Sequence, residues 1–104
     1  PELRAAVRYA RARDALFYAT AGERCDRVWA TVRDVSATGI GLLLPRPFRP
    51  GQRVIVELPV HVPRFPYGLT ARVVRATDRG DGTWAVGCAF VRPLRDKELQ
   101  AVLR

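Results

Sequence analysis

Five residues in two short segments could together bind a small anionic ligand. Arg4 and Arg8 lie near the start of the sequence, and Asp34-x-Ser36-x-x-Gly39 follows later. Guanidinium groups bind phosphate oxygens and the acceptor edge of guanine, and a carboxylate accepts hydrogen bonds from guanine N–H groups. These residue types predict a binding site for a ligand that combines phosphate groups with a guanine base.

The same five residues also have simpler interpretations. Arg4 and Arg8 could be two solvated arginines among many. Asp and Ser side chains, as at positions 34 and 36, commonly close turns by bonding nearby backbone amides, which is compatible with ligand contact. Gly39 is expected to adopt a positive φ angle, whether or not a ligand comes close.

The composition favours a folded domain with an anionic partner. The 104 residues carry 18 basic and 10 acidic side chains, a formal net charge of +8, and Lys97 is the only lysine. Arginine suits bidentate recognition of phosphate or guanine, although a GC-rich genome would also enrich it. With 48% hydrophobic residues, residues 1–104 are expected to form a single domain.

The sequence indicates neither a catalytic site nor a metal site. Cys25 and Cys88 are too far apart to form a zinc-binding pair, and His61 has no nearby cysteine or carboxylate. No Ser/His/Asp or Cys/His constellation is recognisable. We therefore expect a protein that is not an enzyme and that uses no cofactor.

The cysteine usage and the apolar pattern predict a cytoplasmic protein. Cys25 and Cys88 are expected to be reduced, partly buried thiols, and a disulfide between them is the alternative that the sequence leaves open. The sequence contains no apolar run long enough to span a membrane, because arginines interrupt the first apolar stretch. We therefore expect no membrane segment in this chain.

Short strand-forming runs separated by turn signals predict six strands followed by one helix. The strands are expected at 15–20, 27–34, 40–44, 52–58, 69–77 and 83–91, and the helix at 94–104. This pattern favours a small antiparallel barrel over residues 15–91. Residues 1–14 are expected to form a flexible, arginine-rich arm, with a helix as the main alternative. The aromatic residues expected in the core are Phe17, Trp29, Trp84 and Phe90.

The order of these segments resembles the PilZ domain across nearly the whole chain. The resemblance is carried by Arg4-x-x-x-Arg8, Asp34-x-Ser36-x-x-Gly39, Gly51 before a strand, and the run WAVGCAF at 84–90 before a short helix. The arginine pair and the Asp34-x-Ser36-x-x-Gly39 motif each have limited specificity alone. The two motifs in this order, followed by the closing strand and helix, are distinctive. The resemblance implies a six-stranded antiparallel β-barrel plus a C-terminal α-helix that binds the bacterial second messenger cyclic di-GMP.

The resemblance also implies a role for each motif. Arg4 and Arg8 would contact the phosphates and a guanine of the ligand. Asp34 and Ser36 would hold a guanine at the barrel surface, and Gly39 would keep the turn tight. Ordering of the arm on binding would transmit the signal to a downstream protein partner or a fused domain. Members that bind two stacked ligands carry a third arginine where this chain has Leu3, so one cyclic di-GMP per domain is implied.

Two other functions are compatible with the residues. A small basic barrel could bind single-stranded nucleic acid, but such modules use a row of exposed aromatic residues. Because the aromatic residues here are expected inside the barrel, nucleic acid is the less favoured partner. A PilZ-like barrel could also be a protein-interaction module that does not use the messenger.

Overall fold

The computed structural model describes residues 9–19, 27–58 and 68–103. Within these ranges the chain forms six strands and one helix. The elements are β1 (Tyr9–Ala19), β2 (Val28–Val35), β3 (Gly39–Leu44), β4 (Arg53–Glu57), β5 (Gly68–Asp78), β6 (Trp84–Phe90) and α1 (Asp96–Leu103). Each predicted strand is present, as is the predicted C-terminal helix.

The strands form a closed antiparallel barrel in the order β1-β2-β3-β6-β5-β4. The barrel closes through β1 and β4, where Phe17 lies opposite Val56. Closure pairs the edge strands that a sheet rich in Val and Leu would otherwise expose. The predicted six-stranded antiparallel barrel with a C-terminal helix is therefore confirmed.

The core follows from the alternation of side chains along each strand. In β5, Leu69, Ala71 and Val73 point inward and are buried. Phe17 packs edge-to-face on Phe48, with ring centroids 4.7 Å apart. The helix adds Ala101 and Val102 to the same core. Burial of these apolar side chains is the main stabilising term of the fold.

Two sequence-based expectations about the barrel differ from the structure. β1 begins at Tyr9, six residues before the expected start at residue 15, because residues of this segment pair with Val35 and Asp34 of β2. Residues 10–13 alternate between alanine and arginine and include no β-branched residue, the type that usually marks a strand. Trp29 was expected in the core but is 66% exposed, since the alternation of β2 buries its neighbour Ala30.

The turn between β5 and β6 agrees with the sequence. Gly80 and Gly82 have φ angles of 79° and 87°, a region that favours glycine. Arg79 N donates to Thr83 O at 3.1 Å. Hydrogen bonds from Thr83 lower the pKa of Asp81 below its ordinary value. This tight turn fixes the register of β5 and β6 at this end of the pair.

Candidate functional site

The turn between β2 and β3 is closed by the side chain of a buried serine. Ser36 has no exposed surface, and its Oγ accepts hydrogen bonds from Thr38 N at 3.3 Å and from Gly39 N at 3.2 Å. The backbone N of Ser36 donates to Gly39 O at 2.9 Å. Ser36 thus has the turn-closing role typical of its residue type, and its hydroxyl lies beneath the surface.

The C-terminal part of the chain holds this turn in place. Phe90 N donates to Thr38 O at 2.8 Å, and Leu94 N donates to Ala37 O at 2.7 Å. Phe90 is the last residue of β6, and Phe90 and Leu94 are both buried. The turn therefore has a fixed position relative to the barrel.

Gly39 is needed for a close approach between strands, so the expected positive φ angle is wrong. The described glycines with positive φ are Gly51, Gly80 and Gly82. Gly39 instead lies opposite Ala89 of β6, where a Cβ would collide with the carbonyl oxygen of Cys88. A glycine at this position lets the backbones of β3 and β6 come together.

Asp34 lies over a second glycine of β3. It is directly opposite Gly41, and a Cβ on Gly41 would lie 2.8 Å from Asp34 Oδ1 and 3.4 Å from Oδ2. The β2–β3 register shifts between Val32 and Asp34, and a bulge of this kind redirects side chains. The half-buried carboxylate thus occupies the space that a side chain at position 41 would fill.

One row of residues crosses four neighbouring strands here. Asp34 of β2 lies opposite Gly41 of β3, Gly41 lies opposite Gly87 of β6, and Gly87 lies opposite Arg75 of β5. Adjacent strands are about 4.8 Å apart, so the row spans about 14 Å from the acid to the arginine. Of the two glycines between them, Gly41 is covered by the Asp34 carboxylate, whereas Gly87 leaves the main chain of the sheet uncovered.

This row runs along a shallow depression on the outer face of the barrel, which we call the glycine groove. It consists of two adjoining parts with volumes of about 480 and 430 Å³ that share Arg75 and Gly87. Ala85 and Ala89, on either side of Gly87 along β6, extend its floor. The groove is therefore broad, open and floored by residues with little or no side chain.

Among the described residues that line the glycine groove, positive charge predominates. The arginines are Arg33, Arg75 and Arg79, and the one carboxylate is Asp34. Guanidinium groups pair with phosphate or with base acceptor edges, and a carboxylate accepts from base N–H groups. The groove can thus hold a flat, anionic ligand with hydrogen-bonding groups along its edges.

Two predicted ligand-binding residues, Arg4 and Arg8, lie outside the described residues. The structure does place the point where their segment joins the barrel. Tyr9, the first residue of β1, lies opposite Val35, and Ala10 lies opposite Asp34. The other three predicted residues, Asp34, Ser36 and Gly39, lie together at the β2–β3 turn.

Sequence reasoning missed three of the four residues of the row, Gly41, Gly87 and Arg75. Gly41 follows Gly39 by two positions, which in a strand means the same face, so the sequence held a signal for it. Gly87 and Arg75 are distant from the motif in sequence, and only the strand register brings them into the row with Asp34.

Burial makes the thiol of Cys88 a weak nucleophile. Cys88 is a free, buried thiol whose pKa is raised by burial to about 12, and a protonated thiol is a poor nucleophile. No group of three His, Cys, Asp or Glu side chains that could hold a metal occurs among the described residues. Cys25 and His61 lie outside them. No described helix has the length and apolar character required to cross a membrane.

The sequence model of the PilZ domain family matches residues 2–104. The chain belongs to this family. No curated protein matches the chain. Two solved PilZ-family structures are similar to it in fold, one from Bacillus subtilis and one from Escherichia coli.

The Bacillus subtilis protein is the inhibitor of motility MotI (DgrA), with a TM-score of 0.67 and 18% identity. The alignment covers 99% of this chain and 49% of MotI, so the chain spans about half the length of that protein. The Escherichia coli structure is the PilZ domain of YcgR with cyclic di-GMP, with a TM-score of 0.62 and 17% identity over 96% of this chain and 86% of that one. At such identities, both similarities show the PilZ fold alone.

Proposed function

We propose that this PilZ domain is a non-catalytic receptor that binds cyclic di-GMP in the glycine groove. Family membership supports a role connected with this messenger, as does the solved PilZ domain of YcgR with cyclic di-GMP. The observation that carries the proposal is the position of Asp34. Its carboxylate lines a groove whose other charged side chains are arginines, and Asp34 lies opposite Ala10 of β1, the strand that continues the arginine segment.

The chemistry of the ligand fits these groups. Cyclic di-GMP carries two phosphates and two guanines, so it presents negative charge, base acceptors and base N–H donors. Arg4 and Arg8 would bind phosphate and guanine acceptors, and Asp34 would accept from guanine N–H groups. Hydrogen bonds to charged groups contribute about 1.5–3 kcal/mol each, so three such residues could supply much of the affinity.

Chain connectivity allows both arginines to reach the groove. Arg8 directly precedes Tyr9, so their Cα atoms are about 3.8 Å apart, and Arg4 lies at most about 18 Å from Tyr9 along an extended chain. Since Ala10 is opposite Asp34, the arginine segment starts beside the Asp34 end of the row. This proximity supports a shared site.

Ser36 and Gly39 would act indirectly. The Ser36 hydroxyl is buried and occupied by backbone amides of the turn, and Gly39 permits the close approach of β3 and β6. In this proposal both residues hold the turn in the shape that presents Asp34. They belong to the site without supplying exposed ligand-binding atoms.

Binding would order the arginine segment, and the ordered segment would transmit the signal. Because β1 already begins at Tyr9, the part that responds would be residues 1–8 rather than 1–14. We expect amide exchange in residues 1–8 to slow with cyclic di-GMP while exchange in β1 changes little. Equal exchange of residues 1–8 with and without ligand would exclude this switch.

Calorimetric titration with cyclic di-GMP tests the proposal. We expect saturation at one ligand per domain, and roughly a ten- to hundredfold weaker Kd for Arg8→Ala and Asp34→Ala. Arg72→Ala is the matched control, since Arg72 is an exposed arginine of β5 that does not line the groove. It should bind within about threefold of the wild type.

Three outcomes would contradict the proposal in different ways. A wild-type domain that does not bind cyclic di-GMP would reject the receptor function. Binding that survives both Arg8→Ala and Asp34→Ala would place the ligand elsewhere. Salt-sensitive binding to unrelated single-stranded oligonucleotides, unaffected by cyclic di-GMP, would favour the nucleic-acid alternative instead.

A further inference from the structure

We infer that Arg75 of β5 is a third ligand-binding arginine, which contacts the acceptor edge of a guanine lying flat over Gly87, between Arg75 and the Asp34 carboxylate that covers Gly41. This inference rests on the proposed binding of cyclic di-GMP and adds a residue that neither sequence motif contains. Arg75 lies at one end of the row and Asp34 at the other.

The position of Arg75 results from an irregularity in β5. Val73 is opposite Cys88 and Arg75 is opposite Gly87, so Val74 is an extra residue in the β5–β6 register. Bulges occur next to binding sites, where they redirect a side chain. Arg75 is exposed, and it lines both parts of the glycine groove.

Gly87 has no packing reason to be a glycine. A Cβ there would meet nothing within 4 Å, and Gly87 is not among the described glycines with positive φ. At Gly39 and Gly41, by contrast, a Cβ would collide with Cys88 O or approach Asp34 closely. Glycine weakens a strand interior and often marks a site where a ligand comes close. The bare backbone at Gly87 is thus explained by a ligand above it.

The two ends of the row have complementary chemistry for guanine. A base lying over Gly87 would present N–H donors to Asp34 and its O6 and N7 acceptors to Arg75. Adenine carries an amino group where guanine has O6, so it would place a donor against the guanidinium. The pair Asp34 and Arg75 would therefore favour guanine over adenine, in addition to any phosphate contacts of the arginine segment.

The first test compares Arg75→Ala and Arg75→Lys with the control Arg72→Ala at about 0.15 M salt, where charges more than about 8 Å apart are largely screened. We expect both Arg75 variants to bind cyclic di-GMP roughly ten- to a hundredfold more weakly, because lysine keeps the charge but lacks the planar fork. Arg72→Ala should stay within about threefold of the wild type. The preference for cyclic di-GMP over cyclic di-AMP should shrink in both Arg75 variants.

The second test fills the floor of the groove without disturbing the fold. Gly87→Val should be at least as stable as the wild type in urea unfolding, because the space above residue 87 is open and valine favours strands. Its Kd for cyclic di-GMP should nevertheless rise at least about tenfold, since the side chain would stand where the base lies.

The outcomes separate this inference from the receptor function. If the wild-type domain binds cyclic di-GMP and both Arg75→Ala and Gly87→Val bind it with the same affinity, the proposed roles of Arg75 and of the groove floor are wrong. The receptor function would then remain intact. Wild-type affinity and unchanged base preference in Arg75→Lys would overturn the guanine contact. If the wild-type domain binds no cyclic di-GMP, both proposals are wrong.

Discussion

Replacing Gly39 by alanine should destabilise the domain, whereas the same replacement at Gly87 should not. Both glycines lie on the outer face of the β3–β6 pair. A Cβ at position 39 would collide with the backbone carbonyl oxygen of Cys88, and a Cβ at position 87 would meet nothing within 4 Å. The two variants therefore make the same chemical change in different surroundings.

The cost at Gly39 follows from the nature of the obstacle. Backbone cannot rotate away as a side chain can, and β3 and β6 are paired over the whole length from Gly39 to Leu44. Overpacking of this kind costs about 1–3 kcal/mol. At Gly87, alanine should instead stabilise by about 0.4–1 kcal/mol, because it restricts the unfolded chain. The two variants should differ in unfolding free energy by about 1.5–4 kcal/mol.

Urea unfolding followed by far-UV circular dichroism measures this difference. A domain of this size loses about 4–8 °C in Tm for each kcal/mol, so thermal unfolding gives a second measurement. If Gly39→Ala were as stable as the wild type, the close approach of β3 to Cys88 would not constrain this position. A similar loss in Gly87→Ala would show that glycine is needed there for the fold, which would also remove one support for a ligand above it.

Three further predictions concern the turn, Asp34 and the buried thiol. Ser36→Ala should lower the unfolding free energy by about 1–3 kcal/mol, because the amides of Thr38 and Gly39 lose their acceptor; a variant of wild-type stability would contradict this. Gly41→Ala should displace the Asp34 carboxylate, weakening cyclic di-GMP binding by about tenfold or more at a stability cost below about 1.5 kcal/mol, and unchanged affinity would argue against Asp34 as a ligand. In a Cys25→Ser background, a thiol reagent at pH 8 should label Cys88 only after unfolding. Because burial raises the pKa of Cys88 from its ordinary value of 9.0 to about 12, its stabilising contribution should be fully present below pH 9 and lost between pH 9 and pH 12. A Cys88→Ala variant should lack this alkaline loss, and identical pH profiles would refute the assignment.

Much of the fold could be predicted from the sequence because its signals are local. Alternating apolar residues gave β5 and β6 close to their observed bounds, and the glycines at 80 and 82 marked the hairpin turn between them. The start of β1 was missed, because residues 10–13 are only alanine and arginine, without a β-branched or aromatic residue, and the segment is held by pairing with β2. Trp29 was misplaced because hydrophobicity alone does not tell which face of a strand a residue occupies.

The sequence by itself determined which segments are predicted to carry the binding chemistry: a pair of arginines, then an acid, a hydroxyl and a glycine at the spacing of a turn. It could not determine that Ser36 closes the turn from inside, or that Gly39 is set by a neighbouring backbone. Only the tertiary structure decided that Gly87 and Arg75 share a row with Asp34. The physical reason is register: the pairing of β3 with β6, which are far apart in sequence, and one bulge in each of the β2–β3 and β5–β6 pairs decide which side chains meet. No local pattern encodes that alignment.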